Sequence, residues 1–212
     1  MLNFNISDFL VYPVFASTIA GTVITEDLSK LNQIKKLKFL PGGPKHSAQG
    51  ESRHIFSNFQ REKDIVMSYF NKFKNDVLQY KNTDFEMTTS WATKTIDNTS
   101  SHSHNHKNSY YSGILYLDFT GTGGEIEFED FELKPSSFLL NTPTNTNLFN
   151  CQTINFTPEK NLVLFFPSYV VHNIRPYFGS SPRYSIAFNI HPIGKYGCLD
   201  SYVDISLNAS NI

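Results

Sequence analysis

Hydrophobic positions change their spacing part-way along the chain, and the change predicts two structural regimes. From Thr25 to Leu40 a capping threonine and two acids precede Leu28, Leu31, Ile34 and Leu37 at near-helical spacing, which predicts a short amphipathic helix. The run Pro41, Gly42, Gly43, Pro44 stops it, and a polar loop follows to about Arg53. Between Asn58 and Tyr80, Ile65, Tyr69, Phe73 and Val77 recur every four residues, with Val66, Phe70 and Leu78 widening the stripe. This segment predicts a helix that lays its apolar face on a sheet.

Beyond Lys81 the pattern shifts to short β-type runs separated by Gly, Pro, Asn and Ser. They are Phe85–Ile96, Tyr110–Phe119, Glu125–Leu133, Ser137–Asn141, Thr153–Pro158, Leu162–Pro167, Tyr169–Pro176 and Arg183–Ile190. Strands at this spacing predict a mainly β protein, a jelly roll or barrel. The stretches GTGG at 121–124 and PEKN at 158–161 read as hairpin connections, because Gly and Asn accept positive φ. The Asn/Thr-rich stretch 141–147 reads as a surface loop. The first 21 residues are apolar in patches, but they lack a basic leader and are interrupted by Asp8 and Pro13, so neither a signal peptide nor a membrane span is expected.

Composition narrows the picture. A chain of 212 residues, 40% hydrophobic and 15% aromatic, can bury one sizeable core, so a single globular domain is expected. A net charge of −1 supplies no basic field for general nucleic-acid binding. Cys151 and Cys198 form no CxxC pair and do not sit beside the histidines, which argues against a thiolate zinc site and a disulfide framework. The expected location is the cytoplasm.

The candidate chemistry lies in Ser101–Leu117 and two later runs. His104 and His106, two residues apart on extended backbone, present both imidazoles to one face. His102 continues the same alternation and could replace His104, and Asn108 is a further candidate on that face. A third ligand must come from elsewhere, and His172 sits in a strand-like run between Val170 and Ile174. In the last run Arg183, Ser185, Ala187 and Asn189 share one face, and Tyr184, Ile186, Phe188 and Ile190 the other. Small and polar residues would line a cavity with the arginine at its floor. His46, His54 and His191 have no partner pattern and read as structural, the lysines of Ile34–Lys38 as a solvated helix face, and Trp91, Tyr110 and Tyr111 as core or cavity wall.

The stretches SWATKTI (90–96), HNHKNSYYSGILYL (104–117), GGEIEF (123–128), LVLFFPSYVVHNIRP (162–176) and RYSIAFN (183–189) resemble a 2-oxoglutarate/Fe(II)-dependent oxygenase-like family of marine phages and bacteria, distantly similar to prolyl hydroxylases. The resemblance covers roughly Thr88 to Asn189. It implies a double-stranded β-helix, with a helical N-terminal part (about 1–82), the β-helix core (about 83–192) and a C-terminal tail (193–212). It also implies Fe(II) held by His104, His106 and His172, and 2-oxoglutarate held by Arg183 and Tyr116 beside Ser185 and Asn189. The implied reaction hydroxylates a substrate with succinate and CO2 as co-products, and ascorbate stimulates it. An amino-acid side chain, a peptide, a small metabolite or a nucleobase fits the substrate role; a homodimer and the cytoplasm of a phage-infected host are compatible with the family. The chain departs from the wider superfamily, which carries His-x-Asp or His-x-Glu where this chain has His-x-His, so the metal site loses one negative charge. That departure keeps a second class of function in play, a non-catalytic cupin-like module that binds a metal or small molecule.

Overall fold

The computed structural model describes residues 4–6, 8–14, 17–129, 144–145 and 153–207. The chain opens with β1 (Phe4–Ile6), β2 (Phe9–Val14) and β3 (Ser17–Val23). After a 3-10 helix at Ser29–Lys36 come β4 (Phe39–Leu40), β5 (Ala48–Gly50) and helix α1 (Gln60–Phe73), which runs into a π turn at Lys74–Leu78. The remaining strands are β6 (Asp84–Thr95), β7 (Tyr111–Tyr116), β8 (Thr122–Gly123), β9 (Ile126–Glu129), β10 (Thr153–Phe156), β11 (Leu162–Pro167), β12 (Val171–Ile174), β13 (Tyr177–Phe178), β14 (Arg183–Tyr196) and β15 (Val203–Ile205). The major sheet runs β1-β2-β3-β11-β7-β14-β6-β5-β4, the minor sheet β10-β9-β12, and β8 pairs with β13. The pairings are antiparallel, and the two facing sheets make the expected double-stranded β-helix.

Apolar runs in β7 and β11 are continuous because both of their faces are covered. Leu115, Val163 and Phe165 point to the outer cluster, where Val66, Phe70 and Phe73 of α1 meet Phe85, Tyr111 and Phe188. Ile114, Tyr116, Leu164 and Phe166 point the other way, to Ile126, Phe128, Ile154 and Phe156 of the minor sheet. Gly113 is required where the layers are tightest, since a Cβ there would lie 2.4 Å from the Phe188 ring.

Several expectations are corrected. The first helix is a 3-10 coil that begins at Ser29, because Asp27 captures the Ser29 N–H at 2.9 Å in a local turn, and it ends before Phe39 pairs with Gly50. In the second helix a strict four-residue spacing advances beyond one turn at each step, so Val66, Phe70 and Phe73 are buried while Ile65 and Tyr69 are only partly covered. Phe4–Ile6, Phe9–Val14 and Ser17–Val23, placed with the helical part, are strands, and β3 joins the major sheet by pairing with β11. The supposed tail extends β14 to Tyr196, and β15 folds back onto it. GTGG and PEKN do carry positive φ at Gly123, Gly124 and Asn161, but they are crossovers between sheets: β7 and β9 lie in different sheets, as do β10 and β11. The run 137–141, most of the loop 141–147, and Cys151 lie outside the described residues. Among the described residues no helix is long and apolar enough to cross a membrane.

Candidate active site

The site lies between the two sheets. Register across β6 and β14 sets Thr95 opposite Arg183, Thr93 opposite Ser185 and Trp91 opposite Ala187, and β7 adds Tyr116 beside Ser185 and Ile114 beside Ala187. Alternation turns this set toward the minor sheet. A cavity of about 360 Å³ is lined there by Trp91, Thr93, Arg183, Ser185 and Ala187 on one side and by His104, His106 and His172 on the other.

The three imidazoles come together through backbone pairing. His104 and His172 exchange N–H to C=O bonds of 2.9 Å in each direction, and the His106 N–H reaches the Ser168 carbonyl at 2.9 Å. The paired histidines therefore occupy an extended loop zipped onto β12, where a regular strand was expected. The nitrogens of His104, His106 and His172 lie within 4.8 Å of one another. One first-row metal could be held by all three imidazoles. His104 Nδ1 pairs with the His102 carbonyl at 2.8 Å and His172 Nδ1 with the Val170 carbonyl at 2.9 Å, which orients the rings and leaves each Nε2 available to a metal. Burial pushes His172 down to about 3, with the other two histidines reinforcing it against the Val170 bond, and pushes His106 down to about 4 with help from His104. Both are neutral at pH 7, the state a metal requires. Phe166 and Phe128 flank the His172 ring at 4.7 and 5.9 Å.

Arg183 lies four residues along β14 from Ala187, about 13 Å at strand rise. Arg183 is 1% exposed and, among the described residues, its guanidinium has no carboxylate in ion-pair contact. It donates to the Gly124 carbonyl and to Thr95 Oγ1 at 3.1 Å, and it lies over the Tyr116 and Tyr177 rings at 5.3 and 5.7 Å. Burial lowers its pKa, while Tyr116 and Tyr177 and the more distant Asp118 and Glu125 favour the charged form. Burial also raises Tyr116 to about 12, so it is a neutral donor. Arg183 Nε and the Tyr116 hydroxyl are both buried without a hydrogen-bond partner. Two unpaired donors around a buried cation fit a carboxylate.

The remaining expected residues separate. Ser185 is buried and lines the cavity, whereas Asn189 shares its face but lies off the cavity wall, its amide held by Ser112 and Thr89 at 2.8 and 2.9 Å. His102 does not join the triad; its ring stacks on His46 at 3.8 Å at the edge of the cavity, which also corrects the structural reading of His46. Asn108 is an exposed turn residue at φ 61°. Trp91 is cavity wall, 5.5 Å from the His106 ring, and Tyr111 is core. Sequence reasoning missed Thr95, which continues the Trp91 and Thr93 alternation, and Gly124, where a Cβ would stand 2.6 Å from the guanidinium. Tyr177 carried no signal.

With this geometry in view, comparisons with known proteins are informative. A family described as "Putative 2OG-Fe(II) oxygenase" matches residues 89–189, the span that carries the triad, Tyr116 and Arg183. Comparison with the curated proteins finds no match. Among solved structures, an oxidoreductase of the 2OG-Fe(II) oxygenase family from Burkholderia pseudomallei superposes with a TM-score of 0.57 at 11% identity, over 82% of this chain and 84% of that one. HygX from Streptomyces hygroscopicus, with nickel, 2-oxoglutarate and hygromycin B bound, gives 0.58 at 13% identity over 82% of each chain. A prolyl hydroxylase from Trichoplax adhaerens, in complex with a hypoxia inducible factor peptide fragment, gives 0.57 at 12% identity over 82% and 83%. The family model covers just under half of the chain, and the solved structures share its fold.

Proposed function

We propose that this protein is a 2-oxoglutarate- and Fe(II)-dependent dioxygenase that hydroxylates a substrate and releases succinate and CO2, with His104, His106 and His172 as the metal ligands. The observation that carries the reading is a buried pair of unpartnered donors, Arg183 Nε and the Tyr116 hydroxyl, with Arg183 lining the same cavity as the imidazoles of His104, His106 and His172. When bound, Fe(II) and 2-oxoglutarate supply the oxygen activation. The chain's own part is placement. Arg183 and Tyr116 hold the distal carboxylate, the sheet between Arg183 and Ala187 sets the separation from the metal, and Ser185 lines the channel between them. Phe128 and Phe166 keep water from the inner side of His172. Trp91, Thr93, Gln49 and Ser47 wall the rest of the cavity without a charge, which suits an uncharged group on an amino-acid side chain, a peptide or a small metabolite. Ascorbate serves to keep the iron ferrous.

The test is succinate formation from 2-oxoglutarate with Fe(II), ascorbate and air, beside an anaerobic control and His172→Ala. Succinate that depends on oxygen and on His172 is expected. Metal and 2-oxoglutarate binding with no turnover across a panel of candidate substrates would support the cupin-like binding module instead.

A further inference from the structure

The solvent side of the cavity is built from other residues than its floor. A lip at residues 42–49, outside the matched span 89–189, is fastened over it by backbone bonds: the Ser47 N–H donates to the Ser100 carbonyl at 2.9 Å and the Ser100 N–H to the Lys45 carbonyl at 3.0 Å. The lip brings the His46 ring to within 3.8 Å of the His102 ring. On the sheet, strand register sets Gln49 beside Thr93, and Trp91 shares the face of Thr93, with its ring 5.5 Å from that of His106. The nearby serines use their hydroxyls within the chain, Ser47 with Thr95 and the Ser100 carbonyl, and Ser101 beneath the Ile174 N–H. The side chains of Gln49, Thr93, Trp91, His46 and His102 all line the cavity and, among the described residues, make no hydrogen bond.

We infer that these five side chains recognise the substrate, and that it is a small ring bearing several hydroxyl groups, of the sugar or cyclitol type. The inference rests on the oxygenase reading and deepens it by naming a substrate class. An apolar ring seated here would cover five polar side chains without satisfying them, which is costlier than leaving them to water. A hydroxyl both donates and accepts. So do the Gln49 amide and the Thr93 hydroxyl, and the imidazole nitrogens of His46 and His102 serve either role, so neighbouring hydroxyls on one ring can satisfy them together. Trp91 adds an N–H donor at the edge of an apolar face that suits the C–H side of such a ring. No carboxylate, lysine or second arginine joins Arg183 in the lining, so the selection rests on hydrogen bonds rather than ion pairs. Size points the same way: about 360 Å³ must also admit the co-substrate, which leaves space for one ring.

The test is binding without turnover. Protein loaded with 2-oxoglutarate and redox-inactive Zn(II) is titrated with myo-inositol and methyl α-glucoside, beside cyclohexanol as a ring with one hydroxyl and N-acetylglycinamide as an amide. Fluorescence of Trp91, the only tryptophan, and saturation-transfer NMR of the ligand report binding. At least one polyol should bind roughly tenfold or more tightly than either control. Gln49→Ala should weaken that polyol by roughly three- to tenfold, and so should His46→Phe, which keeps a ring against His102 but removes its nitrogens. Affinity for 2-oxoglutarate, measured in the same samples, shows that each variant is folded. Polyol binding no tighter than the controls, or absent, would overturn the substrate class and leave the oxygenase reading intact, as would an unchanged polyol affinity in both folded variants. Failure of 2-oxoglutarate to bind Zn(II)-loaded wild type would instead overturn the oxygenase reading on which the inference stands.

Discussion

The two faces of β14 are built for opposite purposes. On one face Tyr184, Ile186, Phe188 and Ile190 disappear into an aromatic cluster, where Phe188 meets Phe165 and Phe56 at 6.0 and 6.3 Å and the helix adds Phe70 and Phe73. On the other face Arg183, Ser185 and Ala187 line a cavity, and the arginine is buried with an unpartnered Nε. Alternation along a single strand separates the two by one residue at every step. Burial therefore means different things on the two faces. On the outer face it stabilises the fold; on the inner face it holds a cation at a cost that a ligand can offset.

Substitutions should separate these roles. The largest effect is expected on the outer face, from Phe70→Ala. Phe70 is fully buried, with the rings of Phe73, Phe85, Tyr111 and Phe165 at 6.1, 5.3, 5.7 and 5.4 Å. Its removal should cost about 3–5 kcal/mol in urea unfolding, as expected for a phenylalanine cavity. The folded fraction should still bind metal. Arg183→Met should do the reverse. Lost charge-assisted hydrogen bonds of about 1.5–3 kcal/mol predict at least roughly tenfold weaker 2-oxoglutarate binding by calorimetry. The stability of the ligand-free protein should hold or rise, because no counter-charge is stranded. A stability loss like that of Phe70→Ala would make Arg183 a structural group and erase the contrast.

What could be read from the sequence follows the same division between local and distant causes. The two faces of Arg183–Ile190 follow from alternation alone, and the structure places them as that pattern requires. The spacing of His104 and His106 likewise marks a shared face. Alternation cannot distinguish His102 from His104, because both satisfy it; the pairing of His104 with His172, far along the chain, decides which imidazole enters the cluster. Asn189 shows the same limit. It lies on the expected face, one step past the cavity wall, where Ser112 and Thr89 occupy its amide. The N-terminal strands were illegible for a related reason: β3 is fixed by its pairing with β11 much later in the chain, and its own pattern is too short to specify it. Gly124 was visible as part of a turn, but its role beside Arg183 depends on a contact that only the crossover creates.

The smallest expected effect is a pH dependence confined to the inner face. In the unfolded chain histidines titrate near 6.5. In the folded, metal-free protein burial holds His106 down to about 4 and His172 to about 3. Above pH 6.5 all of these are neutral in both states, and the contribution to stability is fully present. As pH falls below 6.5 the unfolded chain takes up protons that the folded chain refuses, so stability declines, and the decline continues until the folded pKa values are reached. Melting of the metal-free protein should therefore shift to lower temperature between pH 7.5 and 5. His172→Asn removes the more deeply buried titrating ring and should flatten that slope. Phe70→Ala, melting lower throughout, should keep it, since it leaves the inner face unchanged. An equal slope in wild type and His172→Asn would place the acid sensitivity outside the histidine cluster. Adding Ni(II) should steepen the same curve, because the metal and protons compete for the same nitrogens.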